Sequence, residues 1–144
     1  MLNIPHSVVH ELRHHAERAY PEECCGVLLG SGDGEEREVV EARACGNADP
    51  DRRTRYAIAP QELIATQRAA RERGLAIVGF YHSHPDHAAE PSATDRAEAA
   101  WPEAVYVIVS VAAKGAAEIK AFRWAERDDR PPEAENIALR VTSD

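Results

Sequence analysis

The sequence predicts an α/β or α+β domain: one sheet of mixed strands covered by helices. Three observations carry that expectation. Apolar runs of strand length recur along the chain: "CCGVLLG" (24–30), "LAIVGFYHSH" (75–84) and "AVYVIVSV" (104–111). Two segments, 5–20 and 60–74, instead carry helical periodicity and helix end signals. Turn residues separate strand-like from helix-like stretches throughout, with no repeat and no linker. At 144 residues, the chain is long enough for one domain, 1–144, with a real core.

Each element has a local reason. In 5–20, Pro5 suits a first helical turn, Val8, Leu12, Ala16 and Ala19 share one side, and Pro21 ends the run. The apolar run 24–30, the turn "SGDG" (31–34) and "EREVVEARA" (36–44) read as a hairpin. "GNADPDRR" (46–53) is a polar loop, and the alternation in "TRYAIAP" (54–60) predicts a further strand. Pro60 opens and Gly74 closes the second helix. Strand 75–84 follows, then a short helix at 92–100. Strands 104–111 and 117–125 are joined through Lys114-Gly115, 127–136 reads as a surface loop, and "IALRV" as a last short strand.

Bulk properties narrow the function classes. A formal charge of −8 argues against a broad nucleic-acid-binding face. No apolar run approaches the ~20 residues needed to cross a bilayer, so no membrane partner is expected. The N-terminal stretch has no apolar signal core. Three cysteines, two of them adjacent, make a poor disulfide framework and fit reduced thiols in a cytoplasm. Without a CxxC pair a zinc ribbon is excluded, and without a Pro-Cys-x-x-Cys element so is a zinc deaminase.

Two stretches have metal-binding spacing. His10-Glu11-Leu12-Arg13-His14 matches HExxH. However, its helix has no sheet before it to frame a cleft, and no recognisable third ligand follows. At ~100° per residue both histidines also lie opposite the apolar side, where such residues are ordinary surface. His82-Ser83-His84 is the stronger candidate. Alternate strand residues share a face, so His82 and His84 point the same way from positions ~7 Å apart. They stand at the C-terminal end of an apolar strand closed by Pro85, where open sheets commonly bind ligands.

A catalytic zinc site usually has three protein ligands and a water. Asp86, His87, Glu90 and Asp95 all follow within reach, and spacing alone does not choose among them. Ser92 and Asp95 also read as a capping box, an assignment compatible with ligation. The general base is not evident in this stretch.

The pattern His-x-His, seven residues, Ser, two residues, Asp, with an upstream glutamate, resembles the JAMM motif of the MPN-plus zinc isopeptidases. "YPEECCGVLLG" is similar to the family's glutamate element, and "YAIAP" and "VGFYHSHP" are weaker matches. The resemblance covers nearly the whole chain. It implies a curved mixed β-sheet flanked by helices, cytidine-deaminase-like in architecture. It further implies that His82, His84 and Asp95 bind one Zn2+ with a bound water. Glu23 would act as general base and Ser92 would stabilise the oxyanion. Physically, Glu22 and Glu23 are not separated by spacing; as strand neighbours, only one of them faces the site. The family cleaves amide or isopeptide bonds after the C-terminal Gly-Gly of ubiquitin-like proteins. For a short, stand-alone prokaryotic type, the implied partners are small sulfur-carrier proteins, including carrier–cysteine adducts. A non-catalytic MPN-type interaction module is the alternative, distinguished by lost ligands. A homodimer through apolar strand edges is compatible with the sequence, which identifies no such edge.

Overall fold

The computed structural model describes residues 1–97, 101 and 103–143. Within these residues eight strands form one sheet: β1 (Leu2–Pro5), β2 (Cys25–Asp33), β3 (Glu36–Cys45), β4 (Ala76–Pro85), β5 (Val105–Ala112), β6 (Gly115–Arg127), β7 (Arg130–Ile137) and β8 (Leu139–Thr142). Among the described residues three helices accompany them: α1 (His6–Ala19), α2 (Pro60–Glu72) and α3 (Ala93–Ala97). The strand order is β7-β6-β5-β4-β2-β3-β1-β8. β4 and β5 run parallel, β1 is parallel to both β3 and β8, and the other pairs are antiparallel. Register shifts at Leu29/Gly30, Val109/Val111 and Ala125/Arg127 interrupt the ladders. Such bulges raise local twist and bend the strand, which curls the sheet.

Each sheet face has its own apolar layer. α1 lays Val8, Leu12 and Ala16 against Leu28, Tyr81 and Val107. Opposite, Cys25, Val27, Leu29, Phe80 and Tyr106 pack with Ala70 and Leu63 of α2. β4 and β5 are buried on both faces, which explains their continuous apolar runs. Gly26 is required by a close approach: a Cβ there would lie 2.5 Å from Cζ of Tyr81, whose ring crosses β2 at that point.

Three local expectations need correction. Residues 54–60 are not a strand, because both sides of β2 are already occupied by β3 and β4. The segment is held instead by Asn47, which donates to the Arg55 carbonyl (3.0 Å) and accepts from the Ala57 N–H (3.2 Å). Residues 127–136 are mostly not a loop: β7 pairs with β6 despite Pro131 and Pro132, which an edge strand tolerates because one row of its N–H groups needs no partner. β1 was not expected at all. Its four residues are too few for a local signal and depend on parallel pairing with β3 and β8. The expected helix 92–100 begins as α3, and its last three residues lie outside the described ones.

Candidate metal centre

Two strands and one helix start build the site. β4 delivers His82 and His84 on one face, both buried. Beyond Pro85 the chain turns through Asp86, the one non-glycine residue of the described set with positive φ (61°), and returns to α3. Asp95 sits in the first turn of α3 with the capping box formed: the Asp95 N–H donates to Ser92 Oγ (3.0 Å), and the Ser92 N–H to Asp95 Oδ2 (2.9 Å). This reciprocal pair fixes the carboxylate while leaving both oxygens turned to the histidines. Oδ1 lies 3.2 Å from His82 Nε2, and Oδ2 lies 3.0 Å from His84 Nε2. The two Nε2 atoms are 3.2 Å apart. One ligand atom from each of the three residues falls within 4.8 Å of the others.

The donor set fits a metal ion. Two imidazole nitrogens and a carboxylate converge at distances where their lone pairs need protons or a cation between them. His84 Nδ1 is 3.0 Å from the Ala88 carbonyl, which suits an Nδ1–H tautomer with Nε2 free to ligate. His82 Nδ1 is buried with no hydrogen-bond partner among the described residues. Tyr56 holds that ring by stacking instead, at 4.5 Å between centroids and 22° between planes. Burial pushes the Asp95 carboxyl up, but its hydrogen bonds from His82 and His84 win and hold it well below the usual carboxylate range. For His82 burial dominates and disfavours the charged form. Burial acts the same way on His84, but Asp95 and the Ala88 carbonyl outweigh it and raise its pKa.

The remaining sequence candidates separate cleanly. Asp86 accepts from the Tyr20 hydroxyl (2.9 and 3.0 Å), Glu90 pairs with Lys120 (2.6 Å), and His87 is exposed. Glu22 faces outward to Arg52 (3.4 Å). Glu23 is buried, 6% exposed. Its N–H donates to the Arg52 carbonyl and its own carbonyl accepts from Asn47 Nδ2 (3.0 Å), so the loop 46–55 pins its backbone. Cys25 pairs with His82 in the β2–β4 register, and the Ser83 N–H donates to the Cys24 carbonyl. Two places further on, that register sets Glu23 opposite His84, on the same face. The negative charge of Glu23 contributes to the raised pKa of His84.

His10 and His14 are exposed on α1, with rings stacked 6.2 Å apart and His14 against Arg18 (2.9 Å). They join no metal-holding group among the described residues. The thiols are buried and free; burial pushes Cys24 and Cys45 up to about 11 and Cys25 higher still, so none is a nucleophile near neutral pH. Tyr56 is the site residue that sequence reasoning overlooked. The "YAIAP" string marked its place, but an expected strand gave no reason for its ring to meet His82.

Residues 5–125 match the family described as prokaryotic homologues of the JAB domain. The chain belongs to that family. It is 40% identical to the desampylase of Haloferax volcanii over 72% of this chain and 73% of the relative. It is 34% identical to the CysO-cysteine peptidase of Mycobacterium tuberculosis, over 85% of this chain and 82% of that one. A probable TtuB-protein conjugate cleaving protease of Thermus thermophilus is 32% identical over 98% of this chain and 83% of its own. Among solved structures, a protein from Desulfitobacterium hafniense superposes with a TM-score of 0.81 at 29% identity, covering 99% of this chain and 95% of that one. In this JAB-family chain the curled mixed sheet and flanking helices are therefore the family's fold. Its His-His-Asp group is compatible with a metal site. No helix among the described residues is long and apolar enough to cross a membrane.

Proposed function

We propose that this chain is a zinc-dependent hydrolase. It cleaves amide or isopeptide bonds after the C-terminal Gly-Gly of a ubiquitin-like or sulfur-carrier protein, with a carrier–cysteine adduct as one such substrate. The observation that carries this reading is the convergence of His82, His84 and Asp95 beside a buried Glu23. Relatives named as a desampylase, a conjugate-cleaving protease and a CysO-cysteine peptidase support the substrate class. The complete donor set speaks against a non-catalytic interaction module.

Zinc bound here would act as a Lewis acid and lower the pKa of water from ~15.7 toward ~7. His82 and His84 would hold the ion through Nε2 and take no part in proton transfer. Asp95, fixed by its own cap, would supply the charged ligand. Glu23 accepts the proton of the attacking water and returns it to the leaving amine, which cannot depart as an anion. Among the described residues, Ser92 Oγ is occupied only as an acceptor from the Asp95 N–H. Its hydroxyl hydrogen can therefore donate to the carbonyl oxygen as that oxygen gains negative charge.

Metal content and cleavage of a carrier bearing cysteine after Gly-Gly, compared between wild type and Glu23→Gln, test this assignment. The variant should keep one zinc and lose ~10²–10⁴-fold in rate. Loss of zinc, or undiminished cleavage, would remove Glu23 from the role.

A further inference from the structure

Two cavities of opposite character each share a residue with the surroundings of the metal centre: Tyr56, stacked on His82, and Ser92, bonded to Asp95. On the His82 side, Tyr56, Ala57, Ile58 and Leu63 face Phe80, Trp101 and Tyr106 across a cavity of about 240 Å³. Among the described residues, none that lines it is charged. On the Ser92 side a larger, polar cavity, about 520 Å³, is bounded by Glu90, Ser92, Trp124 and Glu133.

The first cavity is walled largely by aromatic rings and meets the metal site through Tyr56. Phe80 precedes His82 by two residues on β4 and so shares its face. Tyr106 lies opposite Phe80 on β5 and stacks on it at 5.8 Å; Trp101 meets Phe80 edge-on at 5.2 Å. The Tyr106 hydroxyl accepts from the Trp101 N–H and donates to the Trp101 carbonyl, both at 3.2 Å, locking that corner. Tyr56 belongs to both structures, lining the cavity and stacking on His82.

We propose that this aromatic cavity is a specificity pocket. It takes an apolar side chain from one of the two residues immediately before the substrate's terminal glycine pair, and the leaving amine exits toward the polar Ser92 side. The inference rests on the function proposed above. Its spacing follows from strand geometry. With the last glycine carbonyl at the metal, two extended residues span ~7 Å, the same separation as His82 and Phe80 along β4. The two glycines carry no side chain past the histidines, and the first side chain beyond them comes level with the box. A charged side chain would lose its hydration there with no opposite charge among the described lining residues.

Peptides ending X-X-Gly-Gly, coupled through the last glycine to a fluorogenic amine, test this with X varied among Leu, Phe, Ser, Asp and Lys. The zinc-loaded wild type should cleave the apolar members on the order of ten-fold or more faster in kcat/KM. Ala57→Phe, which fills the cavity while leaving the backbone bonds of residue 57 intact, should erase that discrimination. Ile58→Ala should shift it toward Phe, which guards against a folding artefact in the first variant. The uncleavable free-acid peptides, titrated into metal-free protein, should bind in the same order. Cleavage without preference, or an equal preference in Ala57→Phe, overturns the pocket. Apolar-selective binding without cleavage of any peptide would support the pocket and sink the hydrolase reading instead.

Discussion

α1 and β4 each carry two histidines at ligand-capable spacing, yet the structure treats them in opposite ways. On α1, His10 and His14 stack in solvent and His14 meets the cation of Arg18. On β4, His82 and His84 are buried, their Nε2 atoms converge, and the carboxylate of Asp95 meets both. The difference teaches that spacing is the lesser part of a metal site. What distinguishes β4 is a counter-charge delivered by another element, and walls that remove competing water.

The largest effect that would break this contrast is metal loss. His82→Ala should abolish stoichiometric zinc binding, whereas His10→Ala combined with His14→Ala should leave one ion per chain. Equilibrium dialysis followed by atomic emission measures both, and retention of zinc by His82→Ala would dismantle the site. A smaller effect is expected at Ser92→Ala, where two functions are lost together. The missing oxyanion donor should cost ~10²–10³ in kcat, and the missing cap ~0.5–2 kcal/mol in stability. A full stability loss with unchanged kcat would reduce Ser92 to a cap. The smallest effect is on pH dependence and lies on α1 itself. His15, hydrogen-bonded to the Tyr81 hydroxyl at 2.7 Å, has its pKa lowered by burial and then by the Arg18 charge. Its folded pKa is below the unfolded ~6.5, so the unfolded chain binds more protons there. The contribution of neutral His15 is thus complete above pH ~6.5 and falls as pH drops toward the folded value. Thermal melts of wild type and His15→Gln between pH 8 and 5 should diverge only at the acidic end; parallel curves would refute the shift.

Strong local patterns were legible in the sequence. α1 and α2 show a stripe with proline at one end, and β2, β4 and β5 are apolar runs bounded by turns. Weak local patterns were not. β1 has four residues, and the prolines of β7 disguise an edge strand that only β6 reveals. The alternation in 54–60 looked like a strand until the sheet left no position for it. Within the site, the two-residue period alone set His82 and His84 on one face, and the cap pattern alone marked Ser92 and Asp95.

The resemblance to a known family, not the spacing, had pointed to Asp95 as third ligand and to Glu23 as base. Tertiary structure supplied the physical grounds. Asp86 and Glu90 are taken up by Tyr20 and Lys120, and Glu22 turns out to Arg52. Glu23 stays buried because the β2–β4 register carries it to His84 across about sixty residues of sequence. Tyr56 and the aromatic box beside His82 had no trace in periodicity at all. Sequence determines the direction of a side chain relative to its own strand or helix. Which side chains then meet depends on how those elements pair, and the pairing is fixed by the packing of the whole sheet.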